Sequence, residues 1–524
     1  MRGLLRRLRP HRTRRYGSGD NPRRIYLVAP RHPDSFWSMQ GTAELFGART
    51  LMPNAALATL MALTPDDVDI EYLLTDENTS EIDWELPCDL VAVTGATLHA
   101  RRIREICGAF RQRGVPVALG GPWATVSEDL CDGLADHHFV GEAEHTWPRF
   151  LREWTAGRAA ARYVQQEYVD LADSPPPDWS LIVPGHYLNI NVQTSRGCPH
   201  GCDFCDVILY LGRRARTKTV DQIMTEVKNA HGLGTRSVFF SDDNFLGRPK
   251  FTRRLLEALV EWNSRQRRPL SFSTQITVSV ADDEELLRLL ADARFSVLFL
   301  GVETVRRASL EEVGKGHNLA HPLVERVQRI SRYGIVPFLG LIVGFDADDR
   351  QVFGELRDFI EDTSSPIAGI SLLNAPRHTP LYKRLQAEGR LVDGDFGGEW
   401  QLETNVIPKQ LSREELFDGY WTLFRDIYEP EGFERRLGLW LAGVTYFTER
   451  YVNKRPDPAQ MLQLVGILRH FLFQADGRIR RLFLRNVTRI WRTDPRLLKR
   501  FFTLMAQYRH FYDFVNRSGL PGAR

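Results

Sequence analysis

Short apolar runs that end in small residues recur along this chain, and they restrict its fold more than any other feature. The first series reads Ile25-Tyr26-Leu27-Val28-Ala29-Pro30, Leu90-Val91-Ala92-Val93-Thr94-Gly95 and Val115-Pro116-Val117-Ala118-Leu119-Gly120-Gly121. Stretches with helical spacing, such as residues 101–113, lie between them. Near-continuous apolar strands alternating with helices predict a parallel sheet covered on both faces. A last strand is expected at His138-Phe139-Val140, running into Gly141-Glu142-Ala143-Glu144 and a helix through Phe150. Ligands of such sheets bind beyond the carboxyl ends of the strands. There Gly95, Gly120 and Gly121 let the backbone approach a large ligand.

A second series follows the Pro175-Pro176-Pro177-Asp178 linker. Strands are expected at residues 188–194, 237–240, 272–275, 297–300, 338–343 and 369–373, and helices at 220–231, 283–291 and 322–333. This repetition predicts an α/β barrel, complete or partial, with polar residues gathered at strand ends. Asp282-Asp283 reads as a helix cap. After a closing segment at 374–382, a helix is expected over 383–388. From about residue 395 the chain reads as amphipathic helix rich in Trp, Phe, Tyr and Arg, as in 478–502. Such stripes face a core on one side; a basic aromatic surface that meets a membrane or covers a substrate pocket is the alternative. The fold class is α/β with a helical C-terminal domain, divided as 1–22 (a basic, disordered arm), 23–155, 156–187 (a linker), 188–394 and 395–524.

At 524 residues the chain has room for two to four domains. A formal net charge of +3 argues against a nucleic-acid partner. Arg2, Arg6, Arg7, Arg9, Arg12, Arg14 and Arg15 crowd the N-terminus, in an arm without the apolar stretch of a signal peptide. No later run is long enough to span a bilayer. Six cysteines in so long a chain do not suggest a disulfide scaffold. Cys88, Cys107 and Cys131 read as ordinary thiols, and a reducing cytoplasm fits.

The other three cysteines lie within eight residues, in Gly197-Cys198-Pro199-His200-Gly201-Cys202-Asp203-Phe204-Cys205. Thiolates are soft ligands that suit iron–sulfur clusters or zinc. Three cannot close a tetrahedral zinc or fill a four-iron cubane, so the run predicts a 4Fe-4S cluster with one iron open. A zinc site completed by a distant His, or three unrelated thiols, are the other readings. Arg196, Arg213, Arg214, Arg216 and Lys218 surround the loop in sequence, either balancing an anionic centre or forming a solvated basic turn.

The Cys198, Cys202, Cys205 spacing, with Phe204 before the last thiol, resembles the signature of radical S-adenosylmethionine (SAM) enzymes, in which the open iron chelates SAM. The resemblance extends downstream. It implies that Asp242, Asp243 and Asn244 bind the methionine amino group, that Glu303 and Gln275 contact SAM, and that Phe204, Ile342 and Gly344 lie against adenine. The strand–Gly-Gly-Pro and Val-Gly-Glu-Ala-Glu elements of residues 23–155 resemble the cobalamin-binding domain that precedes many such modules, implying Thr94, Gly95, Gly120, Gly121 and Glu142 at cobalamin. Asp136-His137-His138-Phe139-Val140-Gly141 spells a D-x-H-x-x-G cobalt-ligand motif but follows the Gly-Gly turn. It reads as coincidence, with His138 a packed residue.

The Leu51-Met52-Pro53 neighbourhood, Phe239 to Phe245 and Leu372 to Tyr382 resemble the hopanoid C-2 methylase branch. That likeness implies methylation of an unactivated carbon of a lipid or natural-product precursor, through methylcobalamin and a 5′-deoxyadenosyl radical. It also implies an external one-electron reductant; the basic helices would suit a peripheral membrane contact. A non-methylating cobalamin radical oxidase or cyclase is the nearest alternative, and a non-catalytic iron–sulfur and cobalamin-binding regulator is another of a different class.

Overall fold

The apolar runs of the first series form a seven-stranded sheet. In the computed structural model, which describes residues 12–392, 394, 403–448 and 458–516, its strands are β1 (Thr13–Tyr16), β2 (Arg23–Ala29), β3 (Ile70–Asp76), β4 (Leu90–Thr94), β5 (Val117–Gly120), β6 (His137–Val140) and β7 (Arg162–Val164). Their order is β1-β3-β2-β4-β5-β6-β7, parallel except for β1. Alternate residues of β2 enter different cores. Ile25, Leu27 and Ala29 pack with Leu57, Met61, Trp147 and Phe150. Tyr26 and Val28 pack with Ile103, Phe110 and Trp123. The helix Ala100–Gln112 buries Ile103, Ile106, Cys107 and Phe110, the spacing of one helical face.

Three expectations for this region are corrected. The sheet does not end at residues 138–140, because β7 pairs outside β6. Residues 156–187 are therefore more than a linker. The arm is not disordered over its described part, because β1 pairs antiparallel with β3. Arg14 and the Tyr16 hydroxyl also bond Asp178 at 2.9 and 2.6 Å. Arg2, Arg6, Arg7 and Arg9 lie outside the described residues.

The second series forms β8 (Ile190–Val192), a small antiparallel pair β9 (Ser195–Arg196) and β10 (Arg216–Thr217), then β11 (Ser237–Phe240), β12 (Ser271–Ile276), β13 (Phe295–Glu303), β14 (Val336–Val343) and β15 (Ile367–Leu372). The six long-range strands are all parallel and lie in chain order from β8 to β15. That is the order of an α/β barrel; among the described residues β8 and β15 do not pair, so it is a partial one. Asp283 caps the helix Glu284–Ala293, accepting from Leu286 N.

Contacts divide the chain into two units, Met1–Pro33 with Pro53–Pro184, and Asp34–Met52 with Gly185–Arg524. Residues 34–52 thus leave the first unit to join the second. Trp37 stacks on Phe338 at 5.5 Å and meets Phe299 edge-on at 5.0 Å. Phe36 packs on Phe424 and Phe511. Gly369 leaves the room: a Cβ there would lie 2.7 Å from the Phe36 ring.

The C-terminal part is helical, with helices Arg413–Tyr428, Pro430–Gly443, Pro458–Arg469, Gly477–Thr493 and Leu498–Val515. The apparent single stripe over 478–502 breaks at Asp494-Pro495, where the Asp494 carboxylate accepts from Arg496 N. Their shared core is aromatic, with Tyr428 stacked on Phe511 at 4.7 Å and Phe433 on Tyr508 at 3.9 Å. No helix among the described residues is long and apolar enough to cross a membrane.

Candidate active site

The cysteine loop leaves β9 and is fixed at its backbone. Gly197 has φ +89 and donates its N–H to Asp243 at 2.9 Å. Cys198 N donates to Gly212 O, Asp203 N to Val313 O, and Leu381 N to Asp203 O. Four partners outside the loop, Asp243, Gly212, Val313 and Leu381, therefore hold it at the carboxyl edge of the partial barrel. Cys202 is buried, Cys198 and Cys205 half-buried, and all three are free thiols. Burial raises each thiol, Cys205 to about 12.

Among the described residues no three His, Cys, Asp or Glu side chains are gathered as a ready-made metal site. The donor set nevertheless fits a soft metal centre. Three thiols share one anchored loop, and binding would replace their protons. Lys315 lies within electrostatic reach of Cys198 and Cys202 and offsets part of the rise that burial causes. Arg213 borders Gly201 of the loop. Lys218 has no such part, being buried and ion-paired with Glu226.

Acidic residues after β11 serve mainly to build this edge. Asp242 is buried, and its oxygens accept from Thr194 N at 2.7 Å, Ser195 N at 3.0 Å and the Thr194 hydroxyl. Asn244 Oδ1 accepts from Leu246 N and Thr277 N. Asp243, whose burial raises it to about 6, holds Gly197. Gln275, at the end of β12, has an exposed side chain.

Across the edge, Glu303 ends β13 in the left-handed region at φ +67, where the register with β14 shifts. Its carboxylate is ion-paired with Lys315, and both side chains are about nine-tenths buried, at 12% and 9% exposure. Gly301 leaves the pair its room, since a Cβ would lie 2.7 Å from Glu303 Oε1 and 2.8 Å from Lys315 Nζ. His317 stacks on His200 of the cysteine loop at 4.1 Å, and burial lowers it to about 4.

Phe204 and Ile342 meet on one apolar cluster with Val313, Phe345, Leu373 and Leu381. Gly344, at φ +111, donates its N–H to the buried Asp348 at 2.9 Å. The structure thus brings Phe204, Ile342, Glu303 and the three cysteines to one edge, and commits Asp242 and Asn244 to backbone bonds. Sequence reading missed Lys315, His317 and Asp348. Lys315 belongs to no motif, and only its distance of twelve residues after a strand-end acid could have pointed to it.

In the N-terminal unit, Thr94, Gly95, Gly120 and Gly121 lie at the carboxyl ends of β4 and β5. Gly121 has φ +97, and a Cβ there would overlap Thr94 Oγ1. Glu142 is buried and accepts from Gln165 Nε2 at 2.8 Å and Val169 N at 3.0 Å, which ties it to the chain beyond β7. His138 is the second residue of β6, half-buried and toward its amino end. Asp136 accepts from Val117 N, so the D-x-H-x-x-G string is occupied by sheet contacts.

Comparison with known proteins agrees with these two sheets. The radical SAM superfamily model matches residues 192–360, and a domain of unknown function (DUF4070) matches 379–519. An uncharacterised methyltransferase of Synechocystis sp. is 31% identical over 497 residues, 94% of this chain and 92% of the relative. Hopanoid C-2 methylase of Rhodopseudomonas palustris is 31% identical over 465 residues, 87% of each. The chain belongs to the cobalamin-binding radical SAM family.

Membership makes this radical SAM protein an enzyme, and brings the family's cofactors: a 4Fe-4S cluster, SAM and cobalamin. The solved structure of TsrM from Kitasatospora setae, with cobalamin and a [4Fe-4S] cluster bound, shares its fold. It covers 93% of this chain and 99% of its own at TM-score 0.64 and 16% identity.

Proposed function

We propose that this family methyltransferase acts on an unactivated carbon of an apolar lipid or natural-product precursor. The observation that carries the reading is the cysteine loop, held at the barrel edge beside the Glu303–Lys315 pair. Cluster, SAM and cobalamin together supply the radical that removes the substrate hydrogen and the methyl group that replaces it. The chain supplies the rest by binding, orienting and excluding water.

Cys198, Cys202 and Cys205 would hold the cluster. Lys315 would give positive charge to an anionic centre on these thiols and to the SAM carboxylate. Glu303, held by Lys315, would offer a carboxylate to the hydroxyls and ammonium of SAM. Phe204 and Ile342 offer the apolar surface an adenine edge needs. Asp242 and Asn244 act indirectly, by fixing the loop and strand end on which these groups stand. Residues 23–155 would carry cobalamin, and the cluster would draw its electron from an external one-electron donor.

Support for an apolar substrate comes from the hopanoid C-2 methylase likeness and from the C-terminal surface. Leu462, Val465, Phe473 and Trp491 are 73%, 57%, 76% and 66% exposed, and Gly477–Thr493 carries six arginines and no acid. Apolar and Arg side chains on one set of surface helices suit an anionic bilayer from which such a substrate is drawn.

Anaerobic turnover of reconstituted protein with SAM, reductant, cobalamin and a polycyclic lipid extract tests the reading by mass spectrometry. Deoxyadenosine, S-adenosylhomocysteine and a lipid heavier by one CH2 unit are expected. Deoxyadenosine without S-adenosylhomocysteine would overturn methylation in favour of another radical outcome.

A further inference from the structure

The N-terminal sheet reverses its strand order at β2, with β3 on one side and β4 on the other. In open parallel sheets the crevice at such a reversal is where ligands bind. The loops leaving β2 and β4 each place a histidine there. Nε2 of His99 lies 3.0 Å from Nδ1 of His32. Gly95 gives His99 its place, because a Cβ there would lie 3.0 Å from the ring. The His32 backbone N–H donates to Asn78 at 2.8 Å, and Asn78 Nδ2 in turn donates to Asp76 at 2.7 Å.

The direction of the histidine bond follows from its neighbours. Nδ1 of His99 accepts the N–H of Ala96 at 3.1 Å. A neutral imidazole carries one proton, so that of His99 is on Nε2 and is donated to His32. Nδ1 of His32 is then the acceptor, and its own proton is on Nε2. Burial takes His99 to about 3 and so keeps its ring neutral. His99 is buried and His32 exposed, so the pair offers the occupant of the crevice an N–H and no lone pair.

We propose that the His99–His32 pair is a tautomer-locked element of the cobalamin site, in which His32 donates its Nε2–H to an amide oxygen on the corrin rim and does not ligate cobalt. This rests on the reading of the N-terminal unit as the cobalamin carrier. The corrin rim is lined with neutral amides, whose oxygens take such a donor. A cobalt ligand would need the same nitrogen without its proton, and Ala96 and His99 together prevent that.

The test uses full-length protein loaded with cobalamin, His32→Ala, His32→Gln and His99→Asn. In wild type, the paramagnetic resonance of bound cob(II)alamin should show no nitrogen triplet splitting from histidine. His32→Ala should weaken cobalamin binding about three- to tenfold, the worth of one neutral hydrogen bond. His32→Gln, which keeps an N–H, should restore most of it, and His99→Asn should weaken binding less than His32→Ala. A triplet in wild type that His32→Ala abolishes would overturn the proposal by showing ligation. Equal affinity in wild type and His32→Ala would overturn it as well. Wild type that retains no cobalamin would instead overturn the cofactor reading beneath it, and so the proposal too.

Discussion

The two parallel sheets of this chain present their carboxyl edges in different chemical terms. At the first edge glycines, Thr94 and a pair of uncharged imidazoles stand beside two buried acids, Asp76 and Glu142, that are bonded to Asn78, Gln165 and Val169. At the second the groups on display are ionisable: the buried Asp242 and Asp348, the half-buried Asp243 and the Glu303–Lys315 pair. The contrast matches what each edge has to hold. A large neutral rim of amides needs single hydrogen bonds and close backbone approach, whereas an anionic cluster and a zwitterionic cofactor need buried charges already paired.

Breaking the second edge alone gives the largest expected effect. Cys202→Ala should abolish cluster iron and all turnover while cobalamin binding survives; loss of both cofactors together would show that the two edges are not separable. Next comes Lys315→Met, which leaves the Glu303 carboxylate buried without its partner. SAM affinity should fall at least tenfold, about 1.4 kcal/mol or more, with iron content unchanged. Isothermal titration on reconstituted protein reads this, and Lys315→Arg should recover part of it.

A smaller effect sharpens the first edge. Gly121→Ala forces a side chain into a left-handed backbone beside Thr94, costing about 2 kcal/mol. Thermal unfolding should shift down and cobalamin be lost more easily, while iron content stays as in wild type.

The smallest effect concerns Asp348, whose burial raises it to about 6. A carboxyl raised in the folded state binds its proton more tightly there. It therefore destabilises the fold progressively as pH rises from about 4 through about 6. Asp348→Asn should be more heat-stable than wild type at pH 8, and the difference should shrink as pH falls toward 5. A constant difference across that range would mean that Asp348 does not titrate as its burial requires.

Much of both sheets was legible because apolar runs ending in small residues have few other uses, and the cysteine loop because three thiols at that spacing are rare outside metal chemistry. What escaped reading depended on contacts distant in sequence. β1 is arginine-rich and exposed, so nothing in its composition marks a strand; it exists because β3 offers an open edge. Glu142 and Asp242 are acids at the expected strand ends, yet their oxygens are taken by backbone and Gln165 donors that no local pattern announces. Lys315 acquires its place only when the chain after β13 folds back onto Glu303.

The excursion of residues 34–52 bears on how the chain is made. Phe36 O meets His510 Nε2 across 474 positions, and Thr42 bonds Ala506 across 464. At ordinary rates of translation, on the order of half a minute or more separates the synthesis of these partners. Phe36 and Trp37 gain their aromatic partners in stages, Phe299 and Phe338 first, then Phe424, and Phe511 last. A nascent chain of this protein therefore carries a predictable early binding site for chaperones, and a truncated gene that stops before residue 498 would leave Phe36 without Phe511 and Phe514.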